Sequence, residues 1–303
     1  KQCFNCQFKE DAGGQSLRLK HQQNRKFLDQ IQYIELSLDN VCNMSCLMCS
    51  PGVSQGLGKE YIKLGWIDQI PYYNNHKILN HLQNIDTHIQ VMVTGGEPFM
   101  SEQMIPLLEI VRDKKWSISI STNCSTINKR ALSIIKNIDK VTYQISLDGT
   151  GDLYSFVRYP SNWKTFEKTL ATYKKSLKNP TYRSIHFNAV ISILNIHQLN
   201  ILFDYAYSNR IDLWADNLVW PEWLSWDILT PEEKIITIDN LKKITPRLVP
   251  HQQILESTVS HIQSYEFNLD TRKSFINKIN QIISIRNIKP ELFPWYPALK
   301  SQI

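Results

Sequence analysis

Apolar and polar residues alternate along Ile34-Glu35-Leu36-Ser37-Leu38, a period of two that predicts a half-buried strand. Short β-branched runs recur at Ile89–Thr94, Ser117–Ser121, Val141–Leu147, Ile185–Ile193 and Leu213–Val219, so six strands are expected. Between them the apolar spacing lengthens toward the helical period around Met104–Lys114, Lys129–Asn137, Trp163–Leu177 and Gln198–Ser208, and a longer crossover spans Lys59–Asn84. Strands alternating with helices are the pattern of βα units, in which each parallel step needs a crossover of about a dozen residues. Six such units predict an α/β fold, a partial (β/α)6 TIM-like barrel open on one side.

The last third of the chain changes character. Thr230-Pro231-Glu232-Glu233 places an N-cap, a first-turn proline and a third-position Glu ahead of a helix over Lys234–Ile244. Further helices are expected over His251–Tyr265 and Thr271–Arg286, and the aromatic segment Trp220–Leu224 is expected to cross the barrel mouth. The organisation read from these patterns is an N-terminal cysteine-containing extension over 1–30, a barrel over 31–220 and a helical region over 221–303 that covers the barrel.

Charge excludes more than it assigns. The 34 basic and 28 acidic residues leave +6, scattered in pairs such as Lys114-Lys115 and Lys174-Lys175, too sparse for a nucleic-acid groove. No nucleic-acid partner is therefore expected. Without a run of about 18 apolar residues, no membrane span is expected either. No signal peptide is read, and because the chain opens at Lys1 without Met, residues upstream are expected. Six cysteines in 303 residues are too few for a disulfide scaffold.

Three of those cysteines stand together after the first strand: Cys42, Cys46 and Cys49 form C-x₃-C-x₂-C. A closed zinc site wants four ligands, and no fourth lies nearby. A cubane cluster has four irons, so three thiolates leave one iron open to a non-protein ligand. Thiolate ligation also argues for a reducing, cytoplasmic compartment. Further candidates follow at strand ends. Gly95-Gly96-Glu97-Pro98 closes the second strand, where glycines permit close backbone approach and a carboxylate can bind an amine. Ser121-Thr122-Asn123-Cys124 closes the third, Ser146-Leu147-Asp148-Gly149 the fourth, and Asp216, Asn217 and Trp220 close or follow the sixth. Arg158 lies between the fourth and fifth, and Phe187–Ile191 forms the fifth. Cys124 reads equally as a small buried residue, and Asp148 equally as a turn cap. Near the start, Cys3 and Cys6 form C-x₂-C, which is either half of a second site or a zinc knuckle or free pair.

This order of motifs, from Ile34 to Val219, resembles the radical S-adenosylmethionine (SAM) enzymes, and Cys3 to Arg18 more loosely resembles the lead-in of members with a twitch or SPASM-type element. The resemblance implies a [4Fe-4S] cluster on Cys42, Cys46 and Cys49, with SAM chelating the fourth iron. It implies SAM contacts from Gly95, Gly96 and Glu97 to the methionine amine, from Thr122 and Asn123 to the ribose, from Ser146, Asp148 and Arg158, the last to the SAM carboxylate, and from Val190 beside adenine. Cys124 stands where the family usually has Gly, and with Asp216 it is a candidate catalytic residue beside the substrate. Cys3 and Cys6 would help hold an auxiliary [4Fe-4S] cluster. The implied reaction is one-electron cleavage of SAM to a 5′-deoxyadenosyl radical, which takes a hydrogen atom from a substrate. A peptide or protein side chain is expected as that substrate, with flavodoxin or ferredoxin as electron donor. The alternatives are a member acting on a small molecule or nucleoside and, in a different class, a non-catalytic zinc or Fe–S interaction module. Iron content together with SAM cleavage separates the last from the others.

Overall fold

The computed structural model describes residues 30–71, 77–178 and 184–288, together with Leu19. Cys3, Cys6 and nearly all of the expected N-terminal extension lie outside the described residues. Six strands, β1 (Tyr33–Ser37), β2 (Gln90–Thr94), β3 (Ser117–Thr122), β4 (Val141–Ser146), β5 (Ile185–Ile191) and β6 (Asp212–Asn217), form one parallel sheet in sequential order. Among the described residues β6 does not return to pair with β1, so the barrel is partial, as the six units predict.

Burial follows the pleat, because successive side chains point to opposite faces. Leu36, Val91, Val93, Ile118, Ile120, Tyr143, Ile145, Phe187, Ile191 and Leu213 are buried on the face that packs against helices. The other face carries Glu35, Thr94, Ser121, Gln144, Ser146, Asn188 and Asp216 and is only partly covered. Asn188 Nδ2 donates to Gln144 Oε1 across neighbouring strands at 3.2 Å, and the His186 and Trp214 rings stack 4.3 Å apart on this same face. A half-barrel with one apolar and one polar face needs helices on the first only, which leaves the second free to line a cavity.

The first crossover carries α1 (Gln55–Lys63) and α2 (Ile78–Gln83); the later ones carry α3 (Met104–Asp113), α4 (Lys129–Ile135), α5 (Gly151–Val157), α6 (Trp163–Ser176) and α7 (Leu199–Asn209). α5 was not anticipated. It is seven residues long, too short to show a helical period, and it starts at a glycine with φ +57°. Three helices end the described chain: α8 (Pro231–Lys242), α9 (Val249–Gln263) and α10 (Leu269–Arg286). The capping box ahead of α8 forms, with Thr230 and Glu233 reciprocally bonded. Glu233 also pairs with buried Arg272 of α10 at 2.6 Å, so the cap ties two helices together.

Trp223 and Trp226 are buried, and Trp223 packs on Phe275 of α10, while Trp220 remains half exposed. On its other side Trp223 meets Trp66, whose indole N–H donates to Gln281 of α10 at 2.8 Å. The aromatic segment is thus anchored between the turn after α1 and α10. One buried apolar cluster runs from Leu36 to Ile283, so barrel and C-terminal helices share a core. No helix among the described residues is long and apolar enough to cross a membrane.

The last residue of α10, Arg286, reaches deepest. Its guanidinium pairs with both carboxylate oxygens of Glu60 in α1, at 2.8 and 3.1 Å, and donates to the carbonyls of Phe156 (2.9 Å) and Ser45 (2.5 Å). Replacing it by Leu strands a buried carboxylate and two carbonyls, so Arg286→Leu is expected to lower unfolding free energy by about 3–5 kcal/mol. Urea denaturation followed by far-ultraviolet circular dichroism measures this, and a loss under about 0.5 kcal/mol, the scale of a neutral surface substitution, would remove the clamp role.

Candidate active site

The cysteine run, the Gly95-Gly96-Glu97 turn, Thr122-Asn123, Ser146, Asp148, Val190 and Asp216 fall at or just beyond the C-terminal ends of the strands, the edge at which barrel folds build chemistry, whereas Arg158 follows α5. The cysteine loop leaves β1 through Leu38-Asp39-Asn40-Val41, and the Gly95-Gly96-Glu97 turn leaves β2 directly beside it. Gly96 N–H donates to Asp39 O at 3.0 Å and Glu97 N–H to Val41 O at 2.8 Å, so the two segments bond backbone to backbone. A Cβ on Gly96 would lie 2.2 Å from Val41 O, and Gly95 has φ +106°. Both glycines are required by the approach of this turn to the cysteine loop.

The loop is held elsewhere too. Ser54 caps α1 and donates to Met44 O at 2.6 Å, while Gly56 would place a Cβ 2.8 Å from the same carbonyl. Ser45 and Leu47 donate to the carbonyls of Tyr159, just past α5, and Val157, its last residue, at 2.6 and 3.0 Å. Asn40, fully buried, donates to Gly52 O and Pro71 O and accepts from Gln55.

On this loop Cys42, Cys46 and Cys49 are free thiols. Burial pushes Cys46 up to about 11 and Cys49 up to about 12, and the neighbouring thiols add to the rise in each. Cys42 is raised as well, again chiefly by burial. Among the described residues no three His, Cys, Asp or Glu side chains already surround a common point at metal distances. The donor set nevertheless fits a cluster with one open iron: three soft ligands on one loop, close enough to feel each other's charge, with no disulfide among them. Hydrogen-bond donors also reach the sulfurs, Asn123 Nδ2 to Cys42 at 3.8 Å and Arg158 Nη1 to Cys46 at 3.7 Å.

Several site residues sit differently from the reading of the motifs. Glu97 is fully buried and accepts from Thr122 Oγ1 and Asn123 N–H at 2.8 Å and from Phe99 N–H at 3.2 Å. Its carboxylate thus binds the end of β3 to the turn after β2. Thr122 is buried in the same contact and lies on the helix side of β3, whereas Ser121 shares the polar face. Asn123 donates to Asn43 Oδ1 at 3.1 Å, beside the cysteine loop. Cys124 is completely buried, with burial raising its thiol well above the usual range, and it adopts φ +57°, the left-handed conformation that favours glycine. It packs in the apolar core, away from any accessible surface.

Asp148 and Arg158 form a buried ion pair at 2.6 Å, and Asp148 Oδ1 also accepts from Val190 N–H at 2.7 Å. Arg158 therefore faces Asp148 and Cys46. Phe187 and Ile191 point into the helix layer with Phe166 and Tyr205, leaving Val190 with Asn188 on the polar face. Asp216 stands opposite Val190 in the register, exposed on the open edge strand, and Ser146 pairs with Asn188. Asp39, Asn40, Ser54, Gly56 and Arg286 were not singled out by motif. Ser54 carried a legible signal, a Ser one position ahead of a helix.

The family model of the Radical SAM superfamily matches residues 36–205, more than half of the chain. The chain belongs to the radical SAM superfamily. SAM and a [4Fe-4S] cluster are the cofactors of that superfamily. Over 213 residues the chain is 22% identical to the uncharacterised protein MJ0907 of Methanocaldococcus jannaschii, covering 68% of this chain and 66% of that protein. Among solved structures, Streptococcus suis SuiB bound to precursor peptide SuiA aligns with TM-score 0.50 and 16% identity, covering 88% of this chain and 60% of SuiB. SuiB bound to S-adenosylmethionine aligns with TM-score 0.48 and 16% identity over 82% of this chain and 49% of that one. The chain thus spans less than two thirds of the length of each of these relatives.

Full burial pushes Glu97 up to about 7, against the pull of its three hydrogen-bond donors. A carboxyl raised on folding keeps a proton that the unfolded chain releases near its ordinary value of about 4.3, so its stabilising contribution is fully present below that pH and is lost as pH rises through about 7. The loss is about 3 kcal/mol across this window. Urea midpoints from pH 4.5 to 8 are expected to fall more steeply in the parent than in Glu97→Gln; parallel curves would show that Glu97 does not titrate there.

Proposed function

We propose that this radical SAM protein cleaves SAM reductively and uses the resulting radical on a peptide or protein side chain. The observation that carries the reading is the docking of the three-cysteine loop against the Gly95-Gly96 turn at the C-terminal edge of an open parallel barrel. When bound, the cluster supplies the electron that breaks SAM into methionine and a 5′-deoxyadenosyl radical, which removes a hydrogen atom from the substrate.

The chain's own residues bind and orient. Cys42, Cys46 and Cys49 hold the cluster, and Asn123 and Arg158 place N–H groups against two of these sulfurs. Gly95 and Gly96 offer backbone to the methionine end of SAM, while Glu97 fixes the turn from beneath. Ser146 and Val190, on the partly covered face, line the nucleoside side, and Asp216 stands toward the open edge where substrate enters. Cys124 acts as packing. SuiB, of the same fold and solved with precursor peptide SuiA, supports a peptide substrate for the open polar face. A flavodoxin- or ferredoxin-like protein is the natural one-electron donor.

The first experiment is anaerobic cluster reconstitution followed by incubation with SAM and dithionite. The parent is expected to release 5′-deoxyadenosine, and replacing Cys42, Cys46 and Cys49 together with Ala is expected to abolish it. Release by the triple variant would refute the reading. Iron analysis then addresses Cys3 and Cys6. An auxiliary [4Fe-4S] cluster in the full-length protein raises iron from about four to about eight per chain, and replacing both cysteines lowers it again while SAM cleavage persists. About four irons in both proteins would leave a single cluster.

A further inference from the structure

Two buried arginines meet the cysteine loop, and they treat it differently. Arg286 spends its donors on carbonyls and on both oxygens of Glu60, so its hydrogen bonds hold the loop's backbone and none goes to a sulfur. Arg158 instead turns a nitrogen toward a sulfur. Its Nη2 pairs with Asp148 Oδ2 at 2.6 Å, its Nη1 stands 3.7 Å from Cys46 Sγ, and its buried Nε has no hydrogen-bond partner. Asp148 cannot swing away, because Oδ1 accepts from Val190 N–H at 2.7 Å and its carbonyl accepts from Asn195 Nδ2 at 2.9 Å. A fixed cation contacts the Cys46 sulfur, and a fixed anion pairs with that cation, both buried.

We propose that the Arg158–Asp148 pair tunes the reduction potential of the cluster, Arg158 raising it through its charge beside Cys46 and Asp148 opposing that effect; this rests on the cluster assignment above. Reduction adds one electron from the external reductant, so the reduced cluster is the more negative state. A nearby cation favours that state and raises the potential, whereas an anion lowers it, and burial keeps water from screening either. Arg158 is nearer the sulfur, so its effect dominates and Asp148 modulates it.

The test is a redox titration followed by electron paramagnetic resonance on the reconstituted chain without SAM, so that no lost SAM contact can move the potential. The relevant signal is identified by its loss in Cys46→Ala. Arg158→Gln is expected to shift the potential down and Asp148→Asn to shift it up. Arg158→Lys should stay near the parent, and Arg158→Gln combined with Asp148→Asn should fall between the single variants. A purely structural pair has no reason to move the potential in opposite directions. Unchanged potentials, or shifts of one sign in both single variants with the cluster intact, would overturn the proposal. If Arg158→Gln fails to hold iron, Asp148→Asn decides: a potential that does not rise overturns it. Absence of any cluster in the parent chain would overturn the cluster assignment and this inference together, which separates the two failures.

Discussion

The backbone of residues 39–47 belongs to neither helix nor strand, so its buried N–H and C=O groups must find partners outside regular structure. They find them in four directions. The Gly96 turn takes the carbonyls of Asp39 and Val41, Ser54 takes that of Met44, the C-terminal end of α5 and the residues just beyond accept from Leu47 and Ser45, and Arg286 takes the carbonyl of Ser45. Three thiols can serve one cluster only if the chain between them is held in place. These contacts come from the turn after the second strand, the first helix, the short fifth helix and the last turn of the tenth, so elements from both ends of the described chain converge on nine residues.

The two faces of the sheet explain why the site lies where it does. Helices bury most of the apolar face, whereas the polar face of β3 to β6 is only partly covered. A closed eight-stranded barrel would fill that interior with side chains; six strands leave an opening beside β6. The loop ends bearing Gly95, Asn123, Asp148 and Cys42 surround the C-terminal rim of this opening, on the polar face that also carries Ser146 and Val190.

Buried charge is concentrated at the same rim. Glu97 is held by three hydrogen-bond donors, Asp148 by Arg158 and a backbone N–H, and Glu60 by Arg286. Each would be costly alone, and each is satisfied by a group from a different element. Burial pushes the Glu97 carboxyl up toward neutrality, against the pull of its three hydrogen-bond donors and of the Arg158 charge.

The chain order alone determined the parallel half-barrel, because alternating periods of two and 3.6 leave few topologies once each crossover must carry a helix. The three cysteines, the Gly95-Gly96 turn and the residues at strand ends were legible for the same reason: chemistry at a parallel sheet's C-terminal edge is local in sequence. Side-chain direction was less legible. Phe187–Ile191 reads as a source of apolar contacts, yet the pleat sends Phe187 and Ile191 to the helices and Val190 to the polar face, and Thr122 turns inward to Glu97 while Ser121 faces out. Arg286 lies 241 residues from Ser45, and nothing in a last-turn arginine tells which distant carbonyl it will meet. Asp148 and Arg158 could be seen as a turn residue and a lone cation; only packing made them a pair behind Cys46. Periodicity encodes which elements form, whereas partners for buried polar groups depend on how those elements close together in space, and the tertiary structure alone decides that.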